Sequence, residues 1–187
     1  ANALINRTLI GIGADLFDTD GLSTYMEMTD VHSLNPNNYN GLDGAGNPNS
    51  VVADPEQTRM TQAYLDYKYG KTKVRFGRQM FNIDNLRFIG AVAWRQMPQT
   101  FDSYLITNNS VKDLNLAAAY VTQVNTIFDD GGPKVDSFDT RTLLLNASYK
   151  VSDALKATAY AYMIGSTSDT YGLSLTGGTA VSDGLKV

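Results

Sequence analysis

Arg75, Arg78, Arg87 and Arg95 all fall within VRFGRQMFNIDNLRFIGAVAWRQMPQTFDSYLI, residues 74–106, and are four of the seven arginines in the chain. Guanidinium groups gathered in this way either hold carboxylates through paired N–H bonds or lend a fixed positive field to a surface. Asp84 and Asp102 lie close enough in sequence to be partners, so both bracing and solute contact are open to this cluster. Other chemistries lack parts. His32 is the sole histidine and borders a long loop, so neither a two-histidine metal site nor a Ser-His-Asp arrangement with a Gly-x-Ser-x-Gly elbow can be assembled. DTDG and FDDGG do not have the spacing of a twelve-residue calcium loop. Gly11-Ile12-Gly13 lacks the third glycine of a dinucleotide site. No catalytic residue, metal or cofactor is expected, and the chain does not read as an enzyme.

The elements that must position these charges are strands. The chain has 187 residues with 16 Gly and 11 Tyr, no cysteine, and no Ala/Leu/Glu/Lys periodicity of the helical kind. The absence of cysteine excludes disulfides and thiolate chemistry. A formal net charge of −4 and a pI near 4.8 argue against a nucleic-acid partner. No apolar run is long enough for a membrane-spanning helix, and the mean hydropathy is −0.22. A transmembrane barrel has the same average, because lipid-facing and water-facing side chains alternate along each strand.

Period two runs through the sequence. Thr8, Ile10, Ile12, Ala14 and Leu16 oppose Arg7, Leu9, Gly11, Gly13 and Asp15, and after DTDG, Leu22, Thr24, Met26 and Met28 oppose Ser23, Tyr25, Glu27 and Thr29. Ala63, Leu65, Tyr67 and Tyr69 oppose Gln62, Tyr64, Asp66 and Lys68. LNLAAAYVTQV and TLLLNASYK repeat the pattern, with Leu143, Leu145, Ala147 and Tyr149 opposite Leu144, Asn146, Ser148 and Lys150. Val74 and Phe76 alternate with Arg75 and Gly77, but Arg78 then falls on the apolar count, which predicts either a bulge or a position above the lipid band. Tyrosines near strand ends suit an interfacial belt.

Connections alternate in length. Tight turns are expected at 18–21, near 70–72, at 108–113, at 151–154 and near 182–184. Longer links are expected at 33–56, 81–99, 126–138 and 165–170. Asp followed by a small residue recurs in DTDGL, VSDAL and VSDGL because Asp bonds its own backbone while Gly or Ala tolerates the bend. Short turns on one side and long loops on the other are the asymmetry of an outer-membrane barrel. The reading is all-β: an antiparallel meander of about nine strands with a tenth begun at 184–187, forming one domain over 1–187, with an extracellular loop at 33–56 and an arginine-rich region at 77–102. The start at Ala1 shows no signal-peptide pattern, so an export signal is expected to be removed or to lie outside this chain. A strand cut off at the end predicts a portion of a longer protein.

Within the central segment, Gly77-Arg78-Gln79, Arg87-Phe88-Ile89-Gly90, Trp94 and Thr100-Phe101-Asp102 resemble the alginate-export family of outer-membrane porins. QAYLDYK upstream, and LAAAYVTQV and TYGLSLTG downstream, are similar to it as well. The resemblance implies a single-chain barrel of about eighteen strands, of which this chain holds about half, with arginine-rich lumen walls and a role in diffusive transport. The family includes many general porins, so alginate itself is not carried over.

Arg7, Asp15, Glu27, Asp66, Lys68, Arg75, Arg78, Arg87, Arg95 and Asp102 are accordingly expected to line a pore, with a basic wall and carboxylates across from or beside it. Opposed rows of charge would screen solutes by their field. Ladders of cross-strand salt bridges facing water are the alternative for the same residues. The expected function is passive diffusion of small hydrophilic or anionic solutes through the outer membrane of a Gram-negative bacterium. A barrel scaffold that binds a partner without free diffusion is the alternative, motivated by the long loop 33–56. Expected partners are outer-membrane lipid and lipopolysaccharide and the solutes themselves, with a homo-oligomer or a surface protein left open.

Overall fold

The computed structural model describes residues 4–17, 20–35, 39–40, 48–52, 56–128, 134–178, 180–182 and 185–186. Nine strands follow one another: β1 (Ile5–Asp15), β2 (Leu22–Ser33), β3 (Gln57–Tyr69), β4 (Thr72–Gln79), β5 (Thr100–Asn108), β6 (Leu114–Asn125), β7 (Ser137–Ser152), β8 (Leu155–Ile164) and β9 (Ser168–Gly177). They form one sheet in strict sequence order, every pair antiparallel. Two short strands, β10 (Ala180–Ser182) and β11 (Leu185–Lys186), pair with each other in a separate hairpin. The sequence predicts the start of a tenth strand at 184–187. The described part of that stretch, Leu185–Lys186, pairs instead with Ala180–Ser182, while 184 and 187 lie outside the described residues.

Directly opposed residues share a face, so the register converts the period-two pattern into two surfaces. One row runs Ala14, Thr24, Leu65, Phe76, Tyr104, Tyr120, Leu143, Met163 across eight strands. The adjacent row on the other face runs Asp15, Ser23, Asp66, Arg75, Leu105, Ala119, Leu144, Tyr162, Thr170. The first surface is apolar and uncovered, with Ile12 71% and Leu173 85% exposed. The second is charged over β1 to β4 and, over β5 to β8, apolar around Leu105, Ala119, Leu144 and Tyr162 but charged again at Lys150 and Lys156. Tyrosines divide between the two: Tyr67, Tyr69, Tyr104, Tyr120, Tyr149 and Tyr171 are exposed on the apolar surface, whereas Tyr25, Tyr64, Tyr160 and Tyr162 lie on the other.

Connections at one end are short: 16–21, 70–71, 109–113 and 153–154. At the other end 34–56, 80–99 and 126–136 are long. The link expected to be long at 165–170 is a three-residue turn, 165–167, closed by Thr167 N–H donating to Ile164 C=O at 2.9 Å, because Ser168–Thr170 already belong to β9. In the 34–56 connection, Asn40 and Val51 form a parallel bridge, and most of the remainder lies outside the described residues. Register shifts interrupt the ladders near Glu27, Asp102 and Val121, in the half of the sheet next to the long connections, and between Lys150 and Ser152 beside the 153–154 turn.

Candidate functional site

The 80–99 connection does not rise away from the sheet. It turns back over the second surface, and Ile89 joins Phe101, Ala119, Val121, Leu144 and Tyr162 in one buried cluster, with Phe81, Ile83, Leu105 and Tyr160 packed around it. This covering explains why the polar-parity row becomes apolar from Leu105 onward: those side chains meet protein, and Leu144 and Tyr162 are each 1% exposed. Each fully buried side chain of this kind stabilises the arrangement by roughly 1.5–3 kcal/mol. Phe81 stacks on Phe101 at 4.7 Å between ring centres, and Phe88 meets Tyr162 edge-on at 5.9 Å.

The segment carries its own bonding. Ile83 N–H donates to Ile89 C=O, Leu86 N–H to Ile83 C=O, and Gln99 N–H to Ala91 C=O, while Asn82 Oδ1 accepts from Ala91 N–H at 2.8 Å. Asp84, Leu86 and Val92 have φ of 51°, 65° and 50°. For Leu and the β-branched Val this left-handed geometry costs on the order of 1–3 kcal/mol each, and it persists only because the packing fixes it. At the ends, Met80 N–H donates to Gln62 Oε1 at 3.3 Å and Arg59 Nη2 donates to Pro98 C=O at 3.2 Å. Arg59 also donates to Thr126 C=O at 2.6 Å, bridging from β3 to β6 above the place where β4 and β5 stop. In between, Asp84 Oδ2 accepts from Tyr162 Oη at 2.6 Å and from Asn146 Nδ2 at 2.9 Å.

The uncovered part of the same surface is charged and densely paired. Arg75 holds Asp66 through Nε at 2.6 Å and Nη2 at 2.7 Å, and Lys73 Nζ reaches Asp66 Oδ2 at 2.9 Å. The Arg75 guanidinium also lies 3.6 Å over the Tyr64 ring, which stands 5.5 Å from Tyr25. Tyr25 Oη donates to Glu27 Oε2 at 3.0 Å. Glu27 is buried without a cation among the described residues: its other donors are Thr61 Oγ1 at 2.6 Å and Gln62 Nε2 at 3.0 Å, both aimed at it because the shift near Glu27 admits Thr61 as an extra residue.

Of the residues expected to line a pore, Arg7 and Asp15 on β1, Glu27 on β2, Asp66 and Lys68 on β3 and Arg75 on β4 share this surface by register. Arg87 is exposed on the inserted segment and Arg95 half-buried in it. Arg78 and Asp102 do not share the surface. They pair with each other, Nε to Oδ1 at 2.7 Å and Nη2 to Oδ2 at 2.9 Å, on the face of Phe76 and Tyr104. The cause is that β4 pairs with β3 in unbroken register from Tyr69–Thr72 to Ala63–Arg78, so no bulge reverses the parity. Gly77, with φ of 124°, lies so close to β3 that a Cβ there would run into the Ala63 carbonyl. One further expectation is corrected: Asp84 pairs with Tyr162 and Asn146, since the tip is pressed on β7 and β8. Asp66–Arg75 is a cross-strand salt bridge between adjacent strands.

Two cross-strand pairs at the short-turn end break the rule that like charges avoid each other. Lys68 faces Lys73 and Lys150 faces Lys156, all four on the charged surface. Lys73 is paired to Asp66 and Lys150 to Asp153, at 2.9 and 2.6 Å. Lys68 and Lys156 are exposed and have no ion pair among the described residues. Directly opposed like charges cost roughly 0.2–1 kcal/mol. A depression of about 380 Å³ lies beside Lys150, Lys156, Ser148 and Thr176.

Sequence reasoning left several functional residues unassigned. Asn146 and Tyr64 were already on the polar count, so period two held the signal for them. Lys73 shares the parity of Arg75 and pairs within the same hairpin, whereas Tyr162 and Arg59 carried no signal, because their roles depend on where residues 80–99 and 126–128 come to rest.

A family model described as alginate export matches residues 8–172. No match is found among curated protein sequences. Among solved structures, the chain is similar to Acinetobacter baumannii OccAB2 (TM-score 0.72, 18% identity), covering 96% of this chain and 48% of that one. It is similar to Pseudomonas aeruginosa OccK8 (OprE) at a TM-score of 0.70 and 15% identity, covering 96% and 45%. Pseudomonas aeruginosa OccD3 (OpdP) gives 0.67 and 16%, covering 100% and 42%. The chain thus spans less than half the length of these proteins, and its sheet has the fold of the corresponding part of their walls.

Proposed function

The chain belongs to the alginate-export family, and from that premise we propose that its nine strands are part of the wall of a bacterial outer-membrane channel for passive diffusion of small hydrophilic solutes, anions favoured. The apolar surface faces lipid and lipopolysaccharide; the charged surface and the inserted segment face a water-filled lumen. One observation carries this reading: a single unbroken meander presents an exposed apolar face and, on its other side, a face that is charged where it is open and apolar where its own connection folds over it. A soluble sandwich would bury the apolar face against a second sheet. Here the large side chains are exposed on that face, as hydrocarbon solvent requires.

Arg7, Asp15, Glu27, Asp66, Lys68 and Arg75 line the lumen in this reading, with Arg87 and Arg95 on the segment that narrows it. The anion preference rests on Lys68, Lys73, Lys150 and Lys156. Asp66 is matched by two cations and Glu27 is buried under neutral donors, so Lys68 and Lys156 stand near the short-turn mouth as exposed cations with Asp15 as the carboxylate on the same surface. Such a mouth concentrates anions before they enter.

The experiment is reconstitution of the full-length protein that contains this chain in planar bilayers. Stepwise conductance with a reversal potential favouring chloride over potassium in a salt gradient is expected. A protein that inserts, shows its heat-modifiable fold and conducts nothing would overturn the channel in favour of a scaffold.

A further inference from the structure

We propose that Asp84 is a positioning residue that sets the open cross-section of the channel, by clasping the tip of the inserted segment to Tyr162 and Asn146 on the lumen wall. The inference rests on the channel reading for its consequence, but its geometry stands alone. Asp84 Oδ2 accepts from both Tyr162 Oη and Asn146 Nδ2, and Asn146 Nδ2 also donates to Tyr162 Oη at 3.0 Å, so the three groups close a triangle. The partners come from β7 and β8, residues 62 and 78 positions away along the chain.

Polar tethers at the ends of the segment are Gln62–Met80 and Arg59–Pro98, and Arg95 and Gln96 make interactions nearer its second end. Asn82 is used internally, on Ala91. Among the described residues the clasp is therefore the tip's polar hold on the wall. Leu86, Arg87 and Phe88, directly after it, are exposed. The tip keeps left-handed backbone at Asp84 and Leu86, a conformation that relaxes once the hold is lost. Release would free Leu86 and Arg87 to swing away from β7 and β8, as far as the Phe88 and Ile89 contacts with the wall allow, and change both the width of the lumen and the position of the Arg87 charge.

The chain has no cysteine, so Arg87→Cys gives a single attachment point in it for a spin label, with any thiol elsewhere in the full-length protein replaced. In detergent micelles the label is expected to be immobile in the Arg87→Cys protein and in its Asp84→Asn derivative, since the amide side chain retains an oxygen for Tyr162 and Asn146. It is expected to gain a mobile component in Asp84→Ala and Tyr162→Phe. In bilayers, without the label, Asp84→Ala should raise unit conductance by about half and roughen the open-channel current, while Asp84→Asn keeps the parent amplitude. If Asp84→Ala fails to assemble, Tyr162→Phe decides. Equal label mobility in all four proteins overturns the clasp. A parent protein that never conducts overturns the channel while leaving the mobility result readable, so the two failures are told apart.

Discussion

Arg75 is held from two directions: its guanidinium carbon lies 3.6 Å from the centre of the Tyr64 ring, and two of its nitrogens grip both oxygens of Asp66. A lysine at this position could supply the charge but neither the planar stack nor the two-pronged bond.

Arg75→Lys is therefore expected to keep the chloride preference but lose about 1–2 kcal/mol of stability, from the charge-assisted bond and the ring contact it forfeits. Arg75→Gln should lose stability similarly and also shift the reversal potential toward potassium. Urea unfolding in lipid vesicles and salt-gradient reversal potentials separate the two effects.

Leu173 and Ser174 are neighbours on β9 whose side chains point to opposite faces, Leu173 with Ala159 and Ser174 with Thr158. Leu173→Arg should cost about 2–4 kcal/mol in the membrane if it lies near the bilayer centre. Ser174→Arg should cost much less and raise anion preference. Unfolding titrations in bilayers check the first, ion selectivity the second. Equal costs at the two positions would contradict the assignment of the faces.

The lysine pairs at the short-turn end make a salt-dependent prediction. Lys68→Glu combined with Lys156→Glu should invert selectivity at about 0.01 M salt, where charges act over about 30 Å. The change should largely vanish at about 1 M, where they act over about 3 Å. Reversal potentials across that series give the answer.

Gly77 is required by its backbone. At φ of 124° with the Ala63 carbonyl beside it, Gly77→Ala should reduce the folded fraction by more than the roughly 1 kcal/mol of an ordinary glycine replacement. The folded fraction is read from the gel mobility of unheated samples.

Strand parity was legible in the sequence because each side chain's surroundings repeat every second residue, and the register bears out the assignments for β1, β2, β3, β7 and β6 as far as Val121; beyond the bulge at Thr122 the parity reverses, so that Val124 packs with Phe101 and Gln123 pairs with Asp102 on the apolar face. The placement of Arg78 was open between two geometries, and only the unbroken β3–β4 ladder distinguishes them. The rest of the site depends on contacts between residues distant in the chain. Glu27 meets Thr61, Asp84 meets Tyr162, and Arg59 meets Thr126, and no local periodicity records such encounters. The 165–167 turn reads as longer in the sequence because SDT, at 168–170, has the composition of a turn while pairing as a strand against Tyr162–Ile164.

The Arg78–Asp102 pair on the apolar face has a consequence for the surrounding bilayer. On β4 only Val74 and Phe76 separate Thr72 from Arg78 on that face. Six residue steps of about 3.4 Å, inclined at about 40°, span only about 15 Å of depth, against the roughly 25 Å apolar band of such barrels. Lipid tails beside β4 and β5 must shorten or tilt to avoid the ion pair, dimpling the leaflet on that flank of the wall. Depth-dependent quenching by brominated lipids of a fluorophore at position 76 would measure the dimple, and a full-thickness profile there would contradict it.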